Sequence, residues 1–475
     1  MSSFESISRN SFFLASSQVV EKGLYYLMAV VLARYLGKEN FGRLTYALSF
    51  ASLFTFFWDF GLSRLITRDV ARDPANARFT FSLRFGLQVI SCLAGLIGLL
   101  FYLISFEGET LEIYLILIIS MSVIFNSLSS SFRSVFIAFE RAEYEMVFNV
   151  TFRAILFVAI LWATYRQLGL IEISMVLLLA NLSGLLCSWK WVDKKYFHVR
   201  FIQKAADLWP IIKDCLPIAL TLAFTTFYLQ MNKILLMKWK GGEATGIYGA
   251  ADIIVMGCLI ISNSLVLAAF PIISRENKLD RGKAFFIYRG VFKVLVSLGL
   301  PIALGGLLLS REIILLVYGE AFSESGDVLK VLIWFIPFLF LTNFTGSCLI
   351  AIGRQRLLTT ICAFNLLLNL SLNLILIRPF GYAGAAAASI ATEAVNLMVQ
   401  YRYLRNYWGA SVFEMSWLKV LFSMGIMALF VRWVRGENIF LVLLGGGGVY
   451  FFSLFLMKFY APVGLSEIKL WCARK

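Results

Sequence analysis

Broad apolar stretches separated by short charged segments run the whole length of the chain, near residues 10–34, 41–66, 79–105, 111–138, 144–164, 168–190, 212–238, 246–272, 285–310, 327–352, 355–377, 381–404, 416–434 and 438–458. A membrane-crossing helix needs about 20 predominantly apolar residues, and this pattern supplies about fourteen such stretches. Period-two alternation of apolar and polar residues is absent, so helices rather than a closed barrel must satisfy the backbone in lipid. The pattern predicts an all-α polytopic membrane protein. The first apolar stretch runs past the length of a signal peptide and has no small-residue cleavage site beside its end, so it is expected to remain as a span.

Between the first two stretches the chain reads ARYLGKENFGRLTYA, and between the seventh and eighth it reads MKWKGGEATGIYGAA. Gly37, Glu39, Gly42 and Ala47 recur at one constant spacing as Gly241, Glu243, Gly246 and Ala251. A second echo pairs Ile137-Ala138 and Arg141, after the fourth span, with Ile350-Ala351 and Arg354, after the tenth. Because six spans precede the second copy, the two halves start in the same orientation. They form a parallel repeat about an axis along the membrane normal, the arrangement of transporters whose halves rock against each other. The expected organisation is a six-helix lobe at 1–190, a cytoplasmic amphipathic linker at 191–211 and a second six-helix lobe at 212–405. Two further spans and a cytoplasmic tail, without counterparts in the first half, follow at 406–475.

Charge fixes the expected orientation. Every second loop is basic: Arg64, Arg68, Arg72, Arg78 and Arg84, then Lys190, Lys194, Lys195, Arg200, Lys204 and Lys213, then Arg275, Lys278, Arg281, Lys283 and Arg289. Alternate loops carry Glu107, Glu109 and Glu112, or Glu312, Glu320, Glu324 and Asp327. Lysine and arginine collect on the cytoplasmic side, so both termini are expected in the cytoplasm of a multi-pass inner membrane protein. The formal net charge of +15 follows from this bias and from anionic headgroups, and nucleic acid is not expected as a partner. Hydrophobic residues make up 60% of the chain and charged ones only 15%, against about 25% charged in soluble domains. The seven cysteines lie in spans, on the cytoplasmic side or in the tail, with no CxxC pair, so neither a disulfide nor a zinc site is expected.

Function is sought among polar groups where lipid would penalise them, since a centred charge costs roughly 2.5–3.5 kcal/mol on insertion scales. Span one sets Ser17, Glu21 and Tyr25 at i, i+4, i+8, with Gln18, Lys22 and Tyr26 beside them, either lining a cavity or bonding to neighbouring helices. Other deep cations are Arg153, Lys233 and Lys293; Arg64 and Arg133 lie near cytoplasmic ends, where they line a cavity or snorkel to headgroups. Deep acids are Glu21, Asp59, Asp252 and Glu393. His198, the single histidine, sits in the linker, so proton coupling would run on carboxylates, with sodium coupling equally open. Asn365, Asn369 and Asn373, and Ser389, Glu393, Asn396 and Gln400, form stripes suited to interhelical hydrogen bonds. Gly445 to Gly448 suit close helix packing, and no GxxxxGK[ST] phosphate loop is present.

The segment FGRLTYALSFASLFTFFWDFGLSRLITRDVAR, the opening RNSFFLASSQVVEKGLYYLMAVVLARYLGKENFG and the tag FPIISR at Phe270 to Arg275 resemble the polysaccharide transport family. These Wzx-type oligosaccharide flippases belong to the superfamily of multidrug and toxin extrusion (MATE) exporters and lipid II flippases. The resemblance implies a MATE-like fold without cofactor or catalytic residue. It implies a flippase that moves a polyprenyl-pyrophosphate-linked oligosaccharide to the outer leaflet by alternating access, for O-antigen, lipopolysaccharide, capsule or exopolysaccharide synthesis, alongside a polymerase or other assembly proteins. In such proteins a cationic cavity lined by spans one, two, seven and eight receives the headgroup, and Lys22 and Lys233 fall on two of those spans. Span eight offers Asp252 and Asn263 but no deep cation. A diphosphate bearing sugars needs such a groove, because burying unpaired charge is prohibitive while charge-assisted hydrogen bonds replace lost hydration. The remaining site candidates are Arg153, Arg64, Arg133 and Lys293 as cations, Gln18 and Gln230 as polar groups, and Tyr25, Tyr26 and Tyr228 as sugar-stacking or packing rings. A cation-coupled multidrug or metabolite exporter is the alternative within transport; a membrane polymerase or glycosyltransferase would usually need a sizeable outer loop, and every outer loop is short.

Overall fold

The structure, a computed structural model, describes residues 3–199, 208–412, 417–434 and 436–459, with the backbone alone for 3–18, 208, 217 and 218. The expected linker at 191–211, the side chain of Gln18 and Cys472 therefore lie partly or wholly outside the described residues. Among these no strand occurs. Fifteen α-helices follow in order: α1 (Ser3–Leu53), α2 (Thr55–Asp59), α3 (Leu62–Arg72), α4 (Ala77–Phe106), α5 (Thr110–Ala138), α6 (Ala142–Tyr165), α7 (Leu170–Lys195), α8 (Leu208–Leu279), α9 (Arg281–Leu308), α10 (Ser310–Tyr318), α11 (Ser325–Leu332), α12 (Phe335–Ala351), α13 (Gln355–Trp408), α14 (Trp417–Trp433) and α15 (Ile439–Leu456). Eight of the described helices are long and apolar enough to cross a membrane, nine if α11 and α12, which meet at 46°, form one span. The protein is a polytopic all-α membrane protein.

The three longest helices kink at a glycine: α1 at Gly37 (φ 71°), α8 at Gly241 (φ 83°) and α13 at Gly381 (φ 56°). These φ values lie where a Cβ is strained, which explains why the duplicated phrase keeps glycine at 37 and 241. The stretch expected as one helix over 41–66 is instead broken. Phe60 (φ 50°) and Gly61 (φ 73°) separate α2 from α3, freeing the Trp58 carbonyl. Gln88 Nε2 (3.0 Å) and Ser127 Oγ (2.8 Å) donate to that carbonyl, so the break is supported by polar side chains from α4 and α5.

The chain divides into two compact units, Met1–Gly249 with Cys362–Leu370, and Ala250–Ile361 with Ser371–Lys475. In the first, Leu44, Tyr46 and Phe50 of α1 pack with Leu115, Ile116 and Ile119 of α5, Leu156 and Ile160 of α6, and Ile173 and Leu177 of α7. Asn181 Nδ2 donates to Ser122 Oγ at 2.8 Å, fastening α7 to α5. In the second, Val420, Met424 and Met427 of α14 and Val442 and Tyr450 of α15 form a core with the end of α9. Gly445 and Gly446 lie under Phe430 and Val431, where an added Cβ would come within 2.9 and 3.0 Å of those side chains.

Candidate functional site

Within the first unit, α1, α5 and α6 bring Glu21, Arg133, Glu145 and Arg153 together, with Lys22 next to Glu21 on α1. Arg153 reaches Glu21 Oε1 through Nη2 (3.1 Å) and Nε (3.2 Å), with both side chains partly open, 20% and 29% exposed. Arg133 donates to Ser129 Oγ at 2.6 Å and lies 5.5 Å from the Phe148 ring centroid. Its charge interacts with Glu145, Glu21 and Arg153. Lys22 is half-buried and interacts with the Glu21 carboxylate. Two guanidinium groups thus share the cluster with two carboxylates, and the Lys22 ammonium, coupled to Glu21, adds a third positive charge beside it.

Glu145 was not among the sequence candidates. It stands at i, i+4, i+8 with Asn149 and Arg153 on α6, a polar stripe that does signal it. A second group, also missed because its acids read as loop residues, joins Glu107 to Lys238 (Oε1 to Nζ, 2.5 Å) and to the Tyr46 hydroxyl (2.9 Å).

The remaining candidates sit apart from the five-residue cluster. Lys233, half-buried, donates to Gln230 Oε1 at 3.0 Å on the same helix face, and Tyr228 is buried. The Tyr25 and Tyr26 rings meet edge to face at 5.5 Å, with Tyr25 39% exposed. Arg64 is exposed on α3. Asp59 Oδ1 accepts from the Ser63 N–H at 3.3 Å and from its hydroxyl, so it caps the start of α3 across the helix break. In the second unit, Lys293 is fully buried with Nζ 5.2 Å from the Phe459 ring centroid. Glu393 is buried, accepting from Thr342 Oγ1 and, at 3.2 Å, from Asn396 Nδ2; Asp252 is also buried there. Among the described residues, no three His, Cys, Asp or Glu side chains group as metal ligands.

On the basic-loop side of the first unit, Asp69 accepts from Arg68 Nε (2.6 Å) and from Arg84, while Arg68 also reaches Asp214 at 3.3 Å. Burial raises the Asp69 carboxyl, but the hydrogen bonds and charges of Arg68 and Arg84 outweigh it and hold it below its ordinary range.

Residues 7–276 match the family described as "Polysaccharide biosynthesis protein". The chain belongs to that family. Residues 217–375 also match the MatE family. A similar protein is an uncharacterized membrane protein of Methanocaldococcus jannaschii, 23% identical over 82% of this chain and 95% of the relative. Another, named as a probable low-salt glycan biosynthesis flippase, Agl15 of Haloferax volcanii, is 26% identical over 38% of this chain and 39% of its own length. Among solved structures, the lipid II flippase MurJ in an inward closed conformation superposes with a TM-score of 0.73 at 15% identity, covering 95% of this chain and 99% of that one. Membership of the polysaccharide biosynthesis family and the MurJ-like, MATE-like fold make this protein a membrane transporter of the superfamily that the sequence pointed to.

Proposed function

We propose that this polysaccharide biosynthesis protein is a flippase that carries a polyprenyl-pyrophosphate-linked oligosaccharide from the cytoplasmic to the outer leaflet of a prokaryotic inner membrane by alternating access, not an enzyme. The observation that carries this reading is the surplus of cations in the cluster of Glu21, Lys22, Arg133, Glu145 and Arg153. A diphosphate entering it gains charge-assisted hydrogen bonds from Arg153 and Lys22, and Glu21 is the carboxylate it displaces. Lys233 supplies a further cation on the same unit, and Tyr25 offers an exposed ring to sugars while the prenyl chain stays in lipid. Of the acids considered for ion coupling, Glu21 fits best, because displacement from Arg153 leaves a carboxylate free to take a proton or a sodium ion. Asp59 instead caps a helix, and Glu393 is held in a hydrogen-bonded stripe. A polymerase or another assembly protein of the same surface-polysaccharide pathway is the expected partner.

The test is the access of an externally added sugar-modifying enzyme to lipid-linked oligosaccharide after depletion of the protein. The expected result is protected intermediate, re-exposed by the wild-type chain. Re-exposure should slow about tenfold or more with Lys22→Ala or Arg153→Ala, as loss of a charged hydrogen bond of about 1.5–3 kcal/mol implies. Unchanged access on depletion, accompanied by altered sensitivity to cationic drugs, would overturn it in favour of a multidrug exporter.

A further inference from the structure

The second echo of the repeat folds alike in its two copies. After the fourth span Glu140 takes a positive φ of 57°, and after the tenth Gly353 takes one of 78°. The arginine that follows donates its backbone N–H to the residue five positions back, Arg141 to the Phe136 carbonyl and Arg354 to the Leu349 carbonyl, each at 2.8 Å. Arg141 is the N-cap of α6 and Arg354 the N-cap of α13, and neither side chain caps its helix. The two turns are the same piece of backbone carrying different side chains.

The difference is one of charge. In the first copy Glu143 and Glu145 stand in the opening turn of α6, and Arg141 Nη1 lies 3.3 Å from Glu143 Oε1. In the second copy Arg356 holds the position of Glu143 and Leu358 that of Glu145, so the opening turn of α13 contains no acid. Among the described residues, neither the Arg354 nor the Arg356 side chain has a hydrogen bond or an ion pair. Two cations at a helix N-terminus oppose the helix dipole, which favours an anion there. The first hydrogen bond of α13 runs from the Leu358 N–H to the Arg354 carbonyl at 3.2 Å, so the helix leaves over the N–H groups of Gln355, Arg356 and Leu357. A local rule obeyed in one copy of a backbone and broken in the other marks a position with a further role.

The shape of the second copy agrees. Gly353, Arg354, Gln355, Arg356 and Leu357 line a cavity of about 530 Å³ together with Tyr403. Run straight at 1.5 Å per residue, α13 would carry Tyr403 roughly 70 Å from Gln355. The kink at Gly381 returns it to this turn. Both arginines are exposed and Tyr403 is half-buried, so the cavity opens outward. The turn follows the tenth apolar stretch and falls in the set of loops expected on the basic, cytoplasmic side, where phospholipid headgroups are the nearest anions.

We propose that the cavity at 353–357 and Tyr403 binds a phosphate group, that of an anionic phospholipid headgroup in the adjacent leaflet. Phosphate oxygens take the role beside Arg354 and Arg356 that the Glu143 carboxylate has beside Arg141. The left-over N–H groups of the first turn and the Tyr403 hydroxyl complete the donor set, while the acyl chains stay in the bilayer. The site lies in the second unit and shares no residue with the Glu21 cluster, so the inference goes beyond the flippase reading and holds whatever is carried.

The experiment titrates short-chain phosphatidylglycerol into the purified full-length chain in a neutral detergent and reads the bound population by native mass spectrometry, with inorganic phosphate as a separate probe. Arg356→Glu gives the second copy the acid of the first, which removes the site and favours the helix start; Arg354→Gln is the second variant and covers a folding failure of the first. The tightest phosphatidylglycerol binding should weaken about tenfold or more in each, as loss of a charged hydrogen bond implies. Arg141→Gln, whose guanidinium is already paired, should bind as the wild type does. Undiminished binding in both variants overturns the site. Inorganic phosphate that binds in dependence on Arg354 and Arg356 while the lipid does not would assign the cavity to a soluble phosphate compound and overturn the lipid. Failure of the flipping assay with this lipid binding intact would speak only against the proposed substrate, so the two failures are distinguishable.

Discussion

At the scale of single residues, the site is governed by how carboxylates and guanidinium groups are shared out. Glu21 and Arg153 lie 132 positions apart in sequence, yet Arg153 donates to Glu21 Oε1 through both Nε and Nη2. Because both keep a fifth or more of their side-chain surface open, their coupling should fall short of a sealed ion pair. A double-mutant cycle of Glu21→Gln and Arg153→Gln, read as thermal unfolding in detergent, should give an interaction of about 1 kcal/mol. An interaction indistinguishable from zero would mean that the pair has no role in holding α1 to α6. Lipid polarity made Glu21, Lys22 and Arg153 legible, since each stood out against an apolar stretch. Glu145 was signalled only by its i, i+4, i+8 stripe with Asn149 and Arg153, because in the opening turn of α6 an acid by itself reads as ordinary support for a helix start. Lys293 shows the converse. Its depth in the apolar run was visible, but its full enclosure beside Phe459 depends on residues that meet it only after folding.

At the scale of elements, glycine sets where long helices kink and how closely they cross. The recurring Gly37 and Gly241 were visible as a repeat, and their positive φ values give the repeat its physical cause. That Gly42 and Gly246 of the two copies would meet was not visible, since sequence similarity says that two segments fold alike and nothing about whether they touch. The break between α2 and α3 was hidden for a related reason: the apolar run continues through it, and the side chains that satisfy the freed Trp58 carbonyl come from α4 and α5. Close crossing makes a sharp contrast testable. Gly246→Ala must push its new methyl group into the Lys38 backbone, an overpacking worth about 1–3 kcal/mol, and should lower the melting temperature measurably. Gly447→Ala, with no atom within 4 Å of the added carbon, should stay within about 0.5 kcal/mol of wild type. Equal effects of the two substitutions would show that the crossing is not under packing constraint.

At the scale of the whole molecule, an all-helical membrane fold was legible from composition and periodicity because the bilayer leaves so few ways to satisfy a backbone. Orientation rests on a different physical signal, the asymmetry of loop charge, and it bears directly on the proposed function, since it decides from which leaflet the proposed substrate would start. The loop holding Glu107 and Glu109 belongs to the set of connections poor in lysine and arginine, while Lys278 stands in a basic one. If charge sets the orientation, a cysteine at Glu109→Cys, an exposed position, should react in intact cells with a membrane-impermeant maleimide. Lys278→Cys, equally exposed, should react only after the membrane is permeabilised. The reverse pattern would turn the molecule over, and the surplus cations beside Glu21 would then have to accept the proposed anionic substrate from the outer leaflet.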